Sequence, residues 1–269
     1  MAVITTAGAR HSNAAPGENQ TFRGDLYATP TQAVYPLGYR VALADGRVFR
    51  YAHFGAATNR GFLVSQDLSE TSVVDTDNVM IAPASAVTTT DGTINNRFIE
   101  ITLASVTADQ FAGGYLLTTD DTGEGYTYRI KGNTATGNPA TGNFRVELYD
   151  PLAIAIDTTT DFAIVGNMYH DVEVATAATD IAVSGVAVAV AAADDFGWVQ
   201  TWGVCGVYTD GTIAVGDQVS LSDGVAGEVQ VYGGGGTTGA DLLAEQIVGY
   251  CIDAGDDTGT SAIFLQISP

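Results

Sequence analysis

The sequence predicts an all-β protein built of several antiparallel β units, with an extended N-terminal arm and a small C-terminal β-barrel. Short runs in which apolar and polar residues alternate recur along the chain, and clusters of Gly, Asn, Asp and Thr separate them. Alternation with a period of two is typical of half-buried strands, and such clusters favour turns. We expect an arm at 1–35, a β-rich domain at 36–166 and a small barrel domain at 167–269.

The predicted arm differs in composition from the rest of the chain. It is polar, contains Pro16 and Pro30, and has few β-branched residues in series. A terminal segment of this kind is poorly ordered unless something holds it in place. We therefore expect it to lie against a neighbouring subunit.

The β-rich domain can be divided into two sub-units, 36–82 and 94–165. The first contains the clearest hairpin, because the turn at Asp45-Gly46 lies between two strand-like runs. Asp-Gly supplies the positive backbone torsions that a tight hairpin turn needs. Arg47 and Arg50 flank the return strand, where they either pair with local acids or reach a partner.

The second sub-unit and the barrel domain follow the same pattern. In the sub-unit, a strand begins at Phe98, two strands surround a turn at Asp120–Gly125, and a Gly-, Asn- and Thr-rich loop at 131–143 forms an exposed tip. The barrel domain has seven strand-like runs, and strands at this spacing suggest a sandwich or barrel. These runs lie at 172–176, 181–190, 197–209, 218–223, 227–232, 247–254 and 262–268.

The charge balance excludes several classes of partner. The chain has 269 residues, with 10 Lys and Arg against 31 Asp and Glu, a net charge of -21, and Lys131 as its only lysine. Nucleic acids and anionic membranes are bound by clustered basic residues, so we expect neither as a partner. The sequence also shows no apolar run of about 20 residues and no secretory signal pattern.

The two cysteines are too few for a disulfide framework or a Cys-only metal site. Cys205 and Cys251 both lie in apolar strand-like runs. The sequence predicts buried thiols, and a disulfide between neighbouring strands is the alternative.

No catalytic constellation is evident. The nearest candidate is the group His170, Asp171 and Glu173, but in a strand His170 and Glu173 point to opposite faces, and no second His is close in sequence. We interpret this group as a solvated strand edge. Zinc-protease, nucleophile-elbow and P-loop motifs do not occur. The sequence therefore predicts no enzyme, no catalytic residue, no metal and no cofactor.

Two further candidates are interpreted as structural. Acidic clusters that could suggest calcium lack the EF-hand spacing, and Asp is a preferred turn residue. These clusters are Asp75 with Asp77, Asp120 with Asp121 and Glu124, and Asp253 with Asp256 and Asp257. Paired carboxylates for glycoside hydrolysis remain an alternative, because such partners can be far apart in sequence. Trp198 and Trp202, four residues apart, are expected to share a strand face in a core or subunit contact.

Several segments resemble virion proteins of tailed bacteriophages. These are YPLGYRVALADGRVFRYAHFGAA, VTADQFAGGYLLTTDDTGEGYTYRIKGN, ELYDPLAIAI and FGWVQTWGVCGV. The C-terminal stretch VGDQVSLSDGVAGEVQVY with QIVGYCIDAGDDTGTSAIFLQI is similar to the small β-barrels of phage head-decoration proteins. The resemblance covers the chain from about Tyr35, and its motifs are glycine turns and strand patterns.

The resemblance implies a capsid decoration, or cement, protein on the outer surface of the virion. Its partners would be the major capsid protein and copies of itself, as a homotrimer. A tail, fibre or spike component that binds a receptor or degrades glycans is the alternative, and a surface-layer protein of a salt-adapted organism is a third. The candidate interface residues are Arg10, His11, Phe22, Arg23, Tyr27, Arg47, Arg50, Trp198 and Trp202.

Overall fold

The computed structural model describes residues 24–66, 95–102, 106–120, 122–137, 142–156, 160–176, 182–233, 246–255 and 259–269. These residues form antiparallel β-sheets, one of which is a curled half-barrel, so the predicted all-β class is confirmed. The chain divides into two compact units. Unit 1 comprises Met1–Asp67 with Tyr169–Pro269, and unit 2 comprises Leu68–Met168. Within the described ranges, no helix has the length and apolar character needed to cross a membrane.

The strands of unit 1 form a ten-stranded sheet in the order β13-β12-β14-β15-β11-β10-β3-β9, in which β2 also pairs with β11 and β1 pairs with β2. All the pairs between named strands are antiparallel. The strands are β1 (Arg40–Ala42), β2 (Val48–His53), β3 (Leu63–Gln66), β9 (Val172–Val174), β10 (Val183–Ala187), β11 (Phe196–Tyr208), β12 (Gln218–Leu221), β13 (Val229–Val231), β14 (Ile247–Asp253) and β15 (Thr260–Gln266).

Unit 2 contains the other sheet, with five strands in the order β4-β7-β6-β5-β8. Its core is a single cluster that includes Ile99, Ile130, Phe144 and Phe162. Every strand pair is antiparallel, and β5–β6 and β6–β7 join consecutive strands, whereas β4–β7 and β5–β8 are pairs of strands distant in sequence. The strands are β4 (Phe98–Thr102), β5 (Tyr115–Asp120), β6 (Thr127–Asn133), β7 (Asn143–Leu148) and β8 (Asp161–Val165).

The structure groups the N-terminal strands differently from the sequence-based domains. The hairpin around Asp45-Gly46 forms as β1 and β2, with Val41 opposite Phe49. However, β2 continues the sheet by pairing with β11, where Tyr51 lies opposite Trp198. Residues 36–66 therefore belong with the C-terminal strands rather than with 94–165. The physical reason is a long-range pairing that local patterns in the sequence do not specify.

The described part of the predicted arm, from residue 24, packs into unit 1. Leu26 is buried in a cluster with Tyr51 and Trp198, and the Tyr35 ring lies 5.3 Å from the Trp198 ring. The amide of Phe196 donates to the carbonyl of Pro30 at 2.8 Å. Apolar burial and this hydrogen bond hold the segment on its own subunit. The earlier residues of the predicted arm lie outside the described residues.

A bulge in β11 changes which side chains face the core. Gln200 lies opposite Phe49, but Trp202 lies opposite Val48, so Thr201 is an extra residue in this strand. An extra residue reverses the inward and outward alternation beyond it. The expectation that Trp198 and Trp202 share a strand face is therefore wrong, because they lie on opposite faces of the sheet.

The positions of the cysteines exclude a disulfide between them. Cys205 on β11 and Cys251 on β14 lie opposite the same residue, Ile263 on the strand between them. Two interstrand spacings separate their Cα atoms by roughly 10 Å, whereas a disulfide needs about 4.4–6.8 Å. Both thiols are free, and burial raises the pKa of Cys205 to about 12 although the Arg47 guanidinium lowers it.

We expect the native chain to react slowly with a thiol reagent such as DTNB at pH 8. A pKa of about 12 leaves on the order of one Cys205 thiol in ten thousand ionised at that pH. Unfolding in guanidinium without reductant should expose two reactive thiols per chain. The Cys205→Ser variant should expose one under the same conditions. Finding no thiol after unfolding would contradict the assignment of free cysteines.

Candidate functional site

The described residues bring two histidines and a carboxylate together in unit 1. Nδ1 of His53 lies 2.6 Å from Oδ1 of Asp171, and Nδ1 of His170 lies 3.0 Å from Oδ2 of the same carboxylate. The two imidazole rings are 5.4 Å apart. All three side chains are partly buried, with 15%, 18% and 28% of the side chain exposed for His53, Asp171 and His170. The carboxylate thus bridges two imidazoles at the edge of solvent.

Backbone pairing fixes the position of His53. It is the last residue of β2 and lies opposite Phe196 of β11, whose ring is 4.7 Å from the imidazole. Its amide donates to the carbonyl of Tyr169 at 2.9 Å. This hydrogen bond joins the end of β2 to the segment that carries the other two side chains.

Asp171 reaches the histidines through an unusual backbone conformation. Its φ is +50°, in the left-handed region that Asp tolerates better than most residues. The neighbouring Gly55 has no side chain, and a Cβ there would lie 3.2 Å from Cβ of Asp171. The amide of Gly55 also donates to the carbonyl of Val172 at 3.0 Å. Glycine at this position allows the two segments to approach closely.

The electrostatics of the site favour an ionised carboxylate. Burial alone would raise the pKa of Asp171, but the contacts of its carboxylate with the His170 and His53 imidazoles, and their charge when protonated, outweigh this effect. The pKa of Asp171 is therefore held well below its usual range.

The sequence identified only part of this group. His170 and Asp171 were considered with Glu173, but Glu173 lies in β9 opposite Ser65, and the third member is His53. The premise that no second histidine lies near His170 does not hold in three dimensions, because the His53 ring lies 5.4 Å from the His170 ring. No local signal in the sequence could have indicated that His53 lies beside His170, since strand pairing brings the two histidines together.

The described candidate interface residues, Tyr27, Arg47, Arg50, Trp198 and Trp202, do not form one surface. Arg10, His11, Phe22 and Arg23 lie outside the described residues. Tyr27 and Arg47 line the same groove, of about 290 Å³, and Arg47 is paired with Asp45 at 2.7 Å.

The other candidate interface residues differ in their exposure. Arg50 donates to the carbonyl of Gly38 and to Oγ of Ser268, both within its own chain. Trp198 is only 2% exposed and belongs to the core. Trp202 is half-buried and lies on the other face of the sheet, where its ring meets Phe264 edge-on at 5.8 Å.

Trp202 belongs to a surface that we call the outer patch, formed by Trp202, Val204, Tyr250 and Phe264. Val204 and Tyr250 both lie opposite Phe264, so the three form a row across β11, β15 and β14. Tyr250 stacks on Phe264 with ring centroids 5.3 Å apart. Val204 is 50% exposed and Tyr250 is 38% exposed. The sequence missed this surface because the bulge in β11 determines which residues face outward.

The acidic turns that the sequence interpretation takes as structural are described only in part. Asp75, Asp77, Asp121, Asp256 and Asp257 lie outside the described residues, as does the side chain of Asp120. Among the described residues, one group of three potential metal ligands has all its ligating atoms within 4.8 Å of one another. It consists of His53, His170 and Asp171.

Comparisons with known proteins give no match to a family model, to a curated protein or to a solved structure.

We expect Asp171→Asn to destabilise unit 1 by about 1–3 kcal/mol, because it leaves partly buried polar groups without their charged partner. Asn tolerates the left-handed backbone, so this variant removes the charge of the side chain and keeps the backbone conformation. Urea unfolding in EDTA at pH 5 measures the difference. The folded pKa lies below 3.8, so this stabilisation is present above that pH and is lost as the pH falls through the lowered pKa.

Asp194→Asn is the matched control. Asp194 also has a positive φ, of 66°, and its side chain is exposed. If the two variants lose the same amount of stability at pH 5, the carboxylate of Asp171 has no special role.

Proposed function

We propose that this chain is a structural virion protein that decorates the outer surface of a tailed-bacteriophage capsid. In this role it stabilises junctions between major capsid proteins, and it associates with itself as a homotrimer. The resemblance of its sequence segments to phage virion proteins suggests this class, and the observation that carries the proposal is the outer patch. Its chemistry is that of a protein-binding surface rather than a catalytic one.

The outer patch supports binding to another protein. Four cross-strand pairs of β11 and β15 face outward, and none of their eight residues is charged. The pairs are Trp202 with Gln266, Val204 with Phe264, Gly206 with Ala262, and Tyr208 with Thr260. Interface centres are enriched in aromatic residues and depleted in charged ones, and exposed apolar patches often mark interaction sites.

The charge of the chain supports a position on the outside of the shell. A net charge of -21 opposes contact with packaged DNA. It also keeps particles dispersed in solution, because surfaces of like charge repel one another. Many weak contacts per particle would add up through effective concentration, so a modest affinity at each patch is sufficient for full occupancy.

Charge inserted into the outer patch should weaken capsid binding. We expect Val204→Lys with Tyr250→Lys to lower the affinity for capsids by about tenfold or more, because interface anchors commonly contribute over 1 kcal/mol each. The measurement is co-sedimentation. Capsids of the virus that encodes the chain are first stripped of this protein, and the amount of each purified variant that sediments with them is then determined.

The control for this double variant is Val190→Lys with Val215→Lys. Both valines are exposed, at 57% and 66%, and the change in charge is the same. Circular dichroism checks the fold, and analytical ultracentrifugation checks the oligomeric state. If the two double variants bind capsids equally well, the outer patch is not the capsid-binding surface. Attachment of the wild-type chain to tails or fibres instead of capsids would favour the alternative virion role.

The N-terminal arm offers a second test. Because the segment from residue 24 contributes Leu26 and Tyr35 to the core of unit 1, the truncation must stop at residue 23. We expect removal of 1–23 to lower capsid occupancy and to leave the unfolding midpoint unchanged, whereas removal of 1–35 lowers that midpoint as well. Unchanged occupancy after the shorter truncation would contradict a clamping arm.

A further inference from the structure

We propose that His53, His170 and Asp171 form a binding site for a divalent transition-metal ion of the Zn²⁺ type, with a fourth coordination position left to water. This inference is independent of the proposed virion role. Its basis is the convergence of two imidazoles and one carboxylate from distant parts of the sequence.

The geometry is close to that of a metal site. Bonds of about 2.0–2.2 Å to zinc place neighbouring tetrahedral ligand atoms about 3.3–3.5 Å apart. The ligating atoms of the three side chains already lie within 4.8 Å of one another. To bind one ion, the His53–Asp171 contact would open from 2.6 Å and the wider separations would close, through rotations of the three side chains.

The contact between His53 and Asp171 is close but is not aligned as a hydrogen bond. Nδ1 of His53 is buried and has no hydrogen-bond partner in the structure. It lies 2.6 Å from Oδ1 of Asp171, but this contact lacks hydrogen-bond geometry. Buried polar atoms are nearly always satisfied, so an exception requires an explanation such as an ion. A metal ion bound to both groups would satisfy this nitrogen, with Nδ1 and Oδ1 moved apart from 2.6 Å to the spacing of tetrahedral ligands.

The scaffold holds the three side chains before any ion binds. The hydrogen bond from His53 to Tyr169 and the one from Gly55 to Val172 join the segments that carry them. The positive φ of Asp171 lies in the left-handed region, which Asp adopts more readily than most residues. Prearranged ligands lower the cost of binding.

The ligand set selects the class of metal. Imidazole nitrogen suits zinc and related transition metals, whereas calcium and magnesium prefer six or more oxygen ligands. Only one of the three side chains here supplies oxygen. Two histidines with one carboxylate and an open position is a recurrent arrangement for zinc and for other divalent transition metals.

The ion would act as a cross-link within unit 1. The chain leaves this unit after Asp67 and returns at Tyr169, so unit 2 is an insertion. His53 precedes the insertion, and His170 and Asp171 directly follow it. An ion bound to all three would therefore hold together the two parts of unit 1 that the insertion separates, and it would stabilise the folded state by mass action.

The test is titration of the tag-free, full-length chain with Zn²⁺ after removal of metals with EDTA. Isothermal titration calorimetry should show one Zn²⁺ per chain, and Zn²⁺ should raise the melting temperature. The Co²⁺-loaded chain should show the visible absorption of tetrahedral cobalt. His170→Ala should weaken Zn²⁺ binding by at least about tenfold, since even the loss of outer-shell partners costs 10–100-fold.

The control is His11→Ala, which removes the only histidine outside the group. It should bind Zn²⁺ as the wild type does. His170 is 28% exposed, so its replacement should leave the β-sheet circular dichroism spectrum intact, and His53→Ala provides a second variant. Absence of Zn²⁺ binding by the wild type, equal binding by His170→Ala, or binding of Ca²⁺ in preference to Zn²⁺ would each overturn the proposal.

Discussion

The pairing of β11 with three other strands is the interaction on which unit 1 depends. This 13-residue strand is hydrogen-bonded to β2 and β10 in its first half and to β15 in its second. The bulge at Thr201 reverses its inward and outward faces between these partners. The side-chain amide of Gln200 donates from Nε2 to the carbonyls of Trp202 and Val204, at 3.1 and 2.9 Å, and so satisfies backbone groups beside the bulge. The core and the outer patch both follow from this irregularity.

The cluster of two histidines and a carboxylate follows from the same long-range pairing. Strand β2 lies against β11, and β3 lies against both β10 and β9. These pairs place the end of β2 beside the segment that leads into β9. Residues separated by the whole of unit 2 therefore meet in one place, and glycine at position 55 allows their close approach.

Local structure was predictable from the sequence, and tertiary structure was not. Alternation and turn residues indicated the hairpin at Asp45-Gly46 and the seven C-terminal strands, because these signals act over a few residues. The pairing of β2 with β11 depends on contacts across more than 100 residues, so residues 36–66 were grouped with the wrong neighbours. For the same reason His170 was interpreted without His53, and a one-residue bulge was enough to separate Trp198 from Trp202.

The insertion of unit 2 has a consequence for the order of folding. During synthesis from the N-terminus, β2 and β3 emerge well before their partners β9, β10 and β11. Unit 2 is completed in that interval, and all the partners of its strands lie within it. Unit 2 is thus able to fold first on the ribosome. Until β9, β10 and β11 are synthesised, the N-terminal strands β2 and β3 have unpaired edges. Exposed edges of this kind promote aggregation, so unit 1 is the part of the nascent chain that most needs protection.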